Sequence, residues 1–165
     1  MTDPAAWPPV PIRTERLVLR ESEARDRPAF VELFSSPEVG TYIGGAQPRD
    51  EVERTAPEIP GRRHGFFVVA LDGEMIGMVT FDPVDGGREL GSLFLPSAWG
   101  KGYAYEACAA ALDWYATAHP DVPLTSDTQV ANTASMRLLA KLGFVEGERY
   151  EAYGAEQAQW LTPGA

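Results

Sequence analysis

The hydrophobic positions of the chain follow two periods, one typical of strands and one of helices. Short apolar runs rich in β-branched and aromatic residues predict strands over residues 17–20, 65–71, 75–81, 89–95, 124–130, 144–153 and 157–161. Asp72-Gly73, between the second and third of these runs, is the strongest hairpin signal in the chain. Apolar residues at helical spacing predict helices over residues 26–34, 50–55, 103–118 and 132–142.

The order of these elements predicts an α/β or α+β fold, with one mixed, mostly antiparallel sheet of six to seven strands and helices on both faces. The helix at 103–118 connects two of the strands, which predicts a parallel, right-handed crossover. Residues 1–12 are Pro-rich and aperiodic, so they are predicted to form an extended arm whose Trp7 packs on the body. Residues 13–165 are then a single domain, as the length of 165 residues favours.

The charge of the chain narrows the range of partners. Asp and Glu number 24 against 14 Lys and Arg, for a net charge of -10, so double-stranded nucleic acid and anionic membranes are not expected as partners. An acidic surface favours small or peptidic cations instead. The longest apolar run, residues 66–71, is too short to span a bilayer. No signal peptide is visible, and a cytoplasmic location is therefore predicted.

Cysteine and histidine are scarce. Cys108 is the single cysteine, and His64 and His119 are the two histidines. The chain therefore has too few of these residues to favour a disulfide framework, a zinc cluster or a Ser-His-Asp triad, and no metal is predicted. Cys108 lies on the apolar stripe of a predicted helix, which indicates a buried small residue rather than an acyl-carrying nucleophile.

A glycine-rich turn, Trp99-Gly100-Lys101-Gly102-Tyr103-Ala104, stands between a predicted strand and a predicted helix. Its backbone N–H groups would be the unpaired donors of a helix N-terminus, which favour an anion. The spacing matches neither the Walker phosphate loop nor the dinucleotide fingerprint. A tight turn with no ligand explains the two glycines equally well.

Four segments together resemble the GNAT acetyltransferase superfamily. They are Thr14-Glu15-Arg16-Leu17-Val18-Leu19-Arg20, Glu89-Leu90-Gly91, the glycine-rich turn with Glu106-Ala107, and Asn132-Thr133-Ala134-Ser135-Met136-Arg137-Leu138-Leu139-Ala140-Lys141-Leu142-Gly143-Phe144. Within the superfamily, the chain most resembles the ribosomal-protein N-terminal acetyltransferase-like branch. The resemblance covers residues 13–146, and Trp99 replaces the usual Gln or Arg, as is common in that branch.

The resemblance implies acetyl-CoA as the acetyl donor and a splayed pair of central strands that opens a slot for it. The pyrophosphate would bind the backbone amides from Gly100 to Ala104, and the pantetheine arm would pair with the backbone of Leu93 and Phe94. Asn132 would cap its helix, contact the CoA arm, or do both. The residues expected to bind the cosubstrate are therefore Leu93, Phe94, Trp99, Gly100, Lys101, Gly102, Tyr103, Ala104 and Asn132.

The resemblance also suggests catalytic groups for transfer to an amine. Glu89 is the first choice as general base and Asp127 the second, although each could simply be a solvated carboxylate. Ser135 matches the serine proposed as the acid in the ribosomal-protein branch, yet it could equally cap its helix. Many relatives place a tyrosine where this chain has Leu139, which cannot donate a proton.

The chain is thus predicted to be an N-acetyltransferase that moves an acetyl group directly from acetyl-CoA to a primary amine. The acceptor would be a peptide N-terminus or a small cation such as a polyamine. A non-catalytic acyl-CoA-binding module is the alternative, which the absent tyrosine supports. A monomer or a homodimer fits either function.

Overall fold

A single sheet organises residues 6–163, the part of the chain that this computed structural model describes. Its strands are β1 (Ile12–Arg13), β2 (Val18–Arg20), β3 (Phe66–Leu71), β4 (Glu74–Val84), β5 (Gly87–Phe94), β6 (Leu124–Gln129), β7 (Val145–Ala152) and β8 (Ala155–Leu161). They lie in the order β1-β2-β3-β4-β5-β6-β8-β7. All neighbours are antiparallel except β5 and β6, so the predicted fold class is confirmed.

The eighth strand is one more than the sequence predicts, because β1 has only two residues and follows prolines. The helices are α1 (Arg27–Ser35), α2 (Pro37–Gly40), α3 (Arg49–Thr55), α4 (Tyr103–Ala118) and α5 (Thr133–Lys141). The short α2 was also not predicted; the hydroxyl of Ser36 accepts from the Val39 N–H at 3.4 Å and caps it. No helix within residues 6–163 is long and apolar enough to cross a membrane.

Both faces of the sheet are covered, which explains why β3 is apolar at every position. Phe67 and Val69 pack on the face that carries α4, in a cluster that includes Cys108. The intervening Phe66 and Val68 pack on the opposite face, in a cluster that includes Leu33 of α1 and residues of β4. Alternate side chains of a strand point to opposite faces, so a strand buried on both faces has no polar positions.

The β3–β4 hairpin turns at Asp72 and Gly73, as predicted. Their φ angles are +51° and +84°, the pattern of a type I′ turn, whose twist matches that of the flanking strands. The hairpin places β4 beside β5 in an eight-residue register that runs from Gly77 opposite Phe94 to Val84 opposite Gly87. The strand that leads into the glycine-rich turn is therefore held firmly along one edge.

The other edge of β5 is open along most of its length. β5 and β6 pair over only two positions, Arg88 with Leu124 and Glu89 with Thr125. Beyond them, the Ser126 hydroxyl donates to the Leu90 carbonyl at 2.8 Å, in place of a backbone bond. The two strands then separate, so the predicted splayed pair is present.

The described part of the N-terminal arm lies against the body. The Trp7 ring is 5.0 Å from that of Phe67 and 6.0 Å from that of Trp114, measured between centroids, so its predicted packing is confirmed. The arm leads into β1 at Ile12. Residues 1–5 of the predicted arm and residues 164–165 of the predicted domain lie outside the described residues.

Candidate active site

Two helix N-termini flank the open end of the gap between β5 and β6. α4 follows the carboxyl end of β5, and α5 follows the carboxyl end of β6. Because β5 and β6 are parallel, both ends lie at the same edge of the sheet. The carboxyl ends of parallel strands, where neighbouring strands diverge, are the usual place for a ligand in such sheets. The gap therefore has an entrance with the positive ends of two helix dipoles beside it.

The glycine-rich turn presents a row of free donors at this entrance. The backbone N–H groups from Gly100 to Ala104 make no hydrogen bond to any residue of 6–163. Gly102, the N-cap of α4, has φ +81°, and Gly100 has φ +75°. A Cβ built on Gly100 meets nothing within 4 Å, so the turn is open on its outer side. Such a row of amides fits the pyrophosphate of a CoA thioester.

A hydrogen-bonded network behind the turn holds it in this shape. The carboxylate of Glu106, in the first turn of α4, accepts from the Thr14 hydroxyl at 2.6 Å, from the Arg16 backbone N–H at 2.9 Å and from Arg16 Nε at 2.7 Å. Arg16 Nη1 also donates to the Lys101 carbonyl at 2.9 Å, and its guanidinium lies 4.5 Å above the Tyr103 ring. Partial burial opposes ionisation, yet the hydrogen bonds from Thr14 and Arg16 lower the pKa of Glu106.

This network joins two of the segments that carried the family resemblance. The sequence showed Thr14-Glu15-Arg16 and the glycine-rich turn as separate patterns, about 90 residues apart, with no signal that one supports the other. The supporting roles of Thr14, Arg16 and Glu106 were therefore not predicted. An arginine near the N-terminus is unremarkable in a sequence until the turn that it braces is known.

Two predicted cosubstrate residues donate hydrogen bonds to the segment that leads from β5 into the turn. Trp99 Nε1 donates to the Phe94 carbonyl at 2.8 Å, and Lys101 Nζ donates to the Ser97 carbonyl at 3.1 Å. The ring of Trp99 remains 49% exposed. Both side chains thus fix the path of the chain from the strand to the helix.

The open edge of β5 is formed by alternate residues. The N–H of Leu95 donates to the Ile76 carbonyl of β4, whereas that of Arg88 donates to Pro123 on the other side. With this regular alternation, Ser92 and Phe94 direct their backbone groups into the gap, and Leu93 directs its own towards β4. The backbone groups of Phe94 thus lie on the open edge, beside those of Ser92, whereas those of Leu93 lie on the edge shared with β4. Pairing of a pantetheine arm with Leu93 and Phe94 stays a prediction.

A cleft of about 310 Å³ lies where β5 and β6 meet, at the opposite end of the gap from the glycine-rich turn. Glu89 and Asp127 both line it, so the structure brings together the two predicted bases. Glu89 is half-buried and stands opposite Asp82 across the β4–β5 pair. Burial, followed by the negative charges of Asp127 and Asp82, raises the pKa of Glu89. A carboxylate with a raised pKa beside a cleft is typical of catalytic bases.

Asp127 is held by a residue that the sequence did not indicate. The Tyr150 hydroxyl, from β7, donates to Asp127 Oδ2 at 2.6 Å. Asp127 Oδ1 is buried and has no hydrogen-bond partner within residues 6–163. No local pattern could have revealed this pair, because it joins strands 23 positions apart in the sequence.

At the start of α5, Asn132 rather than Ser135 supplies the cap. Asn132 Oδ1 accepts from the Ser135 N–H at 3.1 Å, whereas the Ser135 hydroxyl makes no hydrogen bond within residues 6–163. Leu139 is buried in the core, so no proton donor stands at its position. Cys108 is also buried, which raises the pKa of its thiol to about 12, as expected for a core residue.

The arrangement combines a turn with free backbone amides, an open strand edge and a carboxylate with a raised pKa at successive points along one gap. Such a site can hold an extended thioester by its backbone and remove a proton from a nucleophile at the far end. Within residues 6–163 there is no group of three or more His, Cys, Asp or Glu side chains that could hold a metal ion.

Comparisons with known proteins agree with this geometry. Residues 16–145 match the model of the acetyltransferase (GNAT) domain. The chain is 30% identical to the uncharacterized N-acetyltransferase p20 of Bacillus licheniformis over 142 residues, 79% of this chain and 80% of p20. A GNAT-family acetyltransferase from Bacillus anthracis superposes with a TM-score of 0.77 at 25% identity, covering 92% of this chain and 96% of that one.

The same fold occurs in a structure that contains coenzyme A. RimL, a ribosomal L7/L12 α-N-protein acetyltransferase in complex with coenzyme A, has a TM-score of 0.74 at 16% identity, over 94% of this chain and all of RimL. At that identity the likeness concerns the fold. The family match and the relative at 30% identity show more than the fold. This chain belongs to the GNAT acetyltransferase family and is an acetyl-CoA-dependent acetyltransferase.

Proposed function

We propose that the protein transfers the acetyl group of acetyl-CoA directly to a primary amine, with Glu89 as the general base. The observation that carries the proposal is the position of Glu89 at the point where β5 and β6 part. Glu89 lines the cleft there, while the free amides of residues 100–104 lie at the other end of the gap. The cosubstrate supplies the acyl group as a thioester, and the chain supplies binding, orientation and proton transfer.

The environment of Glu89 suits the removal of a proton from an ammonium group. An α-amine has a pKa of about 7.7 to 8.0 and a lysine-type amine one of about 10.4, so either is largely protonated at neutral pH. Burial and the nearby carboxylates raise the pKa of Glu89 and bring it closer to neutrality. A base with a pKa nearer to the working pH accepts a proton more readily in the transition state.

The charge of the cleft favours a cationic acceptor. Asp85, Glu89 and Asp127 contribute three carboxylates to its lining. The single guanidinium there belongs to Arg88, which donates to the Phe81 carbonyl at 2.7 Å. Both a peptide N-terminus and a small polycation fit this charge, and the cytoplasmic location predicted from the sequence suits either acceptor.

The leaving thiolate needs no dedicated acid in this proposal. Leu139 cannot donate a proton, and no residue of 6–163 orients the hydroxyl of Ser135 by a hydrogen bond. A thiol with a pKa of about 8.5 is a fair leaving group at neutral pH. Ser135 therefore remains a candidate acid without a supporting contact.

Turnover of acetyl-CoA with a panel of primary amines between pH 6 and 9 tests the proposal. Glu89→Gln should lower kcat/KM by about 10² to 10⁴-fold. The loss should be largest at low pH with an amine of high pKa, where deprotonation is hardest. Asp127→Asn should cost less.

Glu74→Gln is the matched control, since Glu74 is an exposed carboxylate at the start of β4 and does not line the cleft. We expect it to retain nearly full activity. Wild-type turnover by Glu89→Gln across the pH range would remove Glu89 as the base. Binding of acetyl-CoA without transfer to any amine would favour the non-catalytic module.

A further inference from the structure

The Tyr150 side chain spans a whole strand to reach Asp127. Tyr150 on β7 pairs with Gln157 of β8, and Asp127 on β6 pairs with Gln159 of the same strand. Asp127 and Tyr150 are thus two strands apart, a distance of about 10 Å between backbones. Their side chains share one face of the sheet, because paired residues, and residues two apart along β8, lie on the same face. A tyrosine is long enough to cross β8, and its hydroxyl ends 2.6 Å from Asp127 Oδ2.

This bond is the only hydrogen bond of the Asp127 carboxylate within residues 6–163. Oδ1 is buried without a partner, so Tyr150 alone fixes the direction of the carboxylate at the cleft wall. Bonds from a hydroxyl to a carboxylate at this length are charge-assisted and strong.

Tyr150 is poorly suited to donate its proton to a leaving thiolate. The hydrogen bond to Asp127, with burial and the charges of Asp127 and Glu89, raises the pKa of Tyr150 to about 12. The hydroxyl therefore stays protonated throughout the physiological range and remains a donor to the carboxylate. Tyr150 therefore does not replace the tyrosine that many relatives have at the position of Leu139, because the Tyr150 hydroxyl donates its proton in the hydrogen bond to Asp127.

We propose that Tyr150 is a positioning residue for the amine acceptor: it holds Asp127 in the cleft beside Glu89, where the Asp127 carboxylate contacts the acceptor's ammonium group. This inference rests on the proposed function, because it assigns the acceptor side of the same site. Glu89 then accepts the proton, and Asp127 anchors the cation. Two carboxylates in one cleft take different tasks because only one of them is tied to a neighbouring hydroxyl.

Steady-state kinetics of Tyr150→Phe test the inference, with spermidine and a short peptide with a free N-terminus as acceptors. The ring is kept and only the donor is lost. The KM for the better acceptor should rise about tenfold, as expected for a lost hydrogen bond to a charged group. We expect kcat to stay within about threefold, and the KM for acetyl-CoA to be unchanged. Tyr153→Phe is the matched control, because Tyr153 lies three residues away and is 96% exposed.

A double-mutant cycle separates positioning from simple support of the fold. Asp127→Asn should raise the same KM, and adding Tyr150→Phe to it should change little further, since the hydroxyl acts through the carboxylate. Additive effects, an unchanged acceptor KM, or a loss confined to kcat would each overturn the inference. A thermal melt of every variant shows whether the fold is intact.

Calorimetry of the same amines with coenzyme A present distinguishes this inference from the proposed function. If the wild-type protein binds an amine more tightly than Tyr150→Phe does but transfers no acetyl group, the function fails and the positioning role stands. If transfer occurs and Tyr150→Phe binds amines like the wild type, the positioning role fails and the function stands. If no amine binds to the wild type, the inference is overturned.

Discussion

Two glutamates, one at each end of the same gap, have opposite surroundings. Glu106, behind the glycine-rich turn, is ringed by the donors of Thr14 and Arg16, and these hydrogen bonds outweigh partial burial and lower its pKa. Glu89, in the cleft, is half-buried beside Asp127 and Asp82, which raises its pKa. The surroundings of Glu106 stabilise its ionised form, whereas those of Glu89 destabilise its ionised form.

Under the proposed function, the contrast separates the turn that would bind the pyrophosphate from the carboxylate that would accept the proton. A turn that binds pyrophosphate by backbone amides must keep one shape, so the residues behind it are fully paired. A base must gain and lose a proton, so its charged form is left with little support. Such groups commonly reduce the stability of the fold in exchange for reactivity.

Gly102→Val changes the glycine-rich turn itself. Of the variants compared here, it should have the largest effect, a loss of affinity for coenzyme A. The residue has φ +81°, which a β-branched side chain adopts only with strain, and a Cβ there lies 3.4 Å from Arg16 Nη2. The side chain would also crowd the approach of an anion to the amides. The affinity for coenzyme A, measured by calorimetry, should fall by about 100-fold, which is about 2.7 kcal/mol.

Gly154→Val is the control for that loss. Gly154 has a similar φ of +77° in the β7–β8 turn, and a Cβ built there meets nothing within 4 Å. It therefore shares the backbone strain without touching the glycine-rich turn. Equal losses of affinity in the two variants would show that strain alone, not the approach of the anion, is responsible.

Glu106→Gln should lower the free energy of unfolding by about 1 kcal/mol at pH 7, because it weakens the bonds from Thr14 and Arg16. The folded-state pKa of Glu106 lies below its usual value, so its contribution is present above about pH 4.3 and is lost as the pH falls through the lowered pKa. Denaturant titrations at pH 7 and pH 3 measure this. Glu146→Gln, which removes an exposed pair with Arg149, should change stability far less at either pH.

Glu89→Gln should raise the stability of the fold, whereas Glu106→Gln lowers it, and this change in stability should be the smallest of those considered. The raised folded-state pKa means that the wild-type protein loses stability as the pH rises from about 4.3 through that pKa. The Gln variant avoids this loss, so it should melt about 1 to 2 °C higher at pH 8 and no higher at pH 4. Solvent around the half-buried side chain keeps the gain small. A variant that melts lower at pH 8 would mean that the ionised Glu89 is supported by its neighbours after all.

What could be predicted from the sequence was governed by local patterns. The Asp72-Gly73 hairpin, the long helix α4 and the glycine-rich turn each depend on residues adjacent in the chain. β1 and α2 were missed because two- and four-residue elements have no measurable period. The sequence did not show that the backbone groups of Leu93 face β4, because the residues of a strand that face an open edge depend on its pairing register, which the residue pattern does not reveal.

The candidate site could be predicted only where one segment supplies it. Glu89 and Asp127 were each identified, yet their common cleft depends on the two-residue pairing of β5 with β6. Tyr150 contributes from a third strand, across β8, and Arg16 from the far N-terminal side of the sheet. These contacts arise from tertiary packing between distant segments, which a single sequence does not encode as a pattern.

The indole of Trp99 is an exposed fluorophore at the entrance of the gap between β5 and β6. The other three tryptophans, Trp7, Trp114 and Trp160, are partly or fully buried, whereas Trp99 is exposed at the start of the glycine-rich turn. A soluble quencher such as acrylamide will therefore extinguish mainly the emission of Trp99. Because its Nε1 is bonded to the Phe94 carbonyl on the wall of the gap, a ligand that enters there alters the polarity around this one fluorophore. A change in Trp99 emission during a titration with coenzyme A would therefore report binding at this entrance without a label.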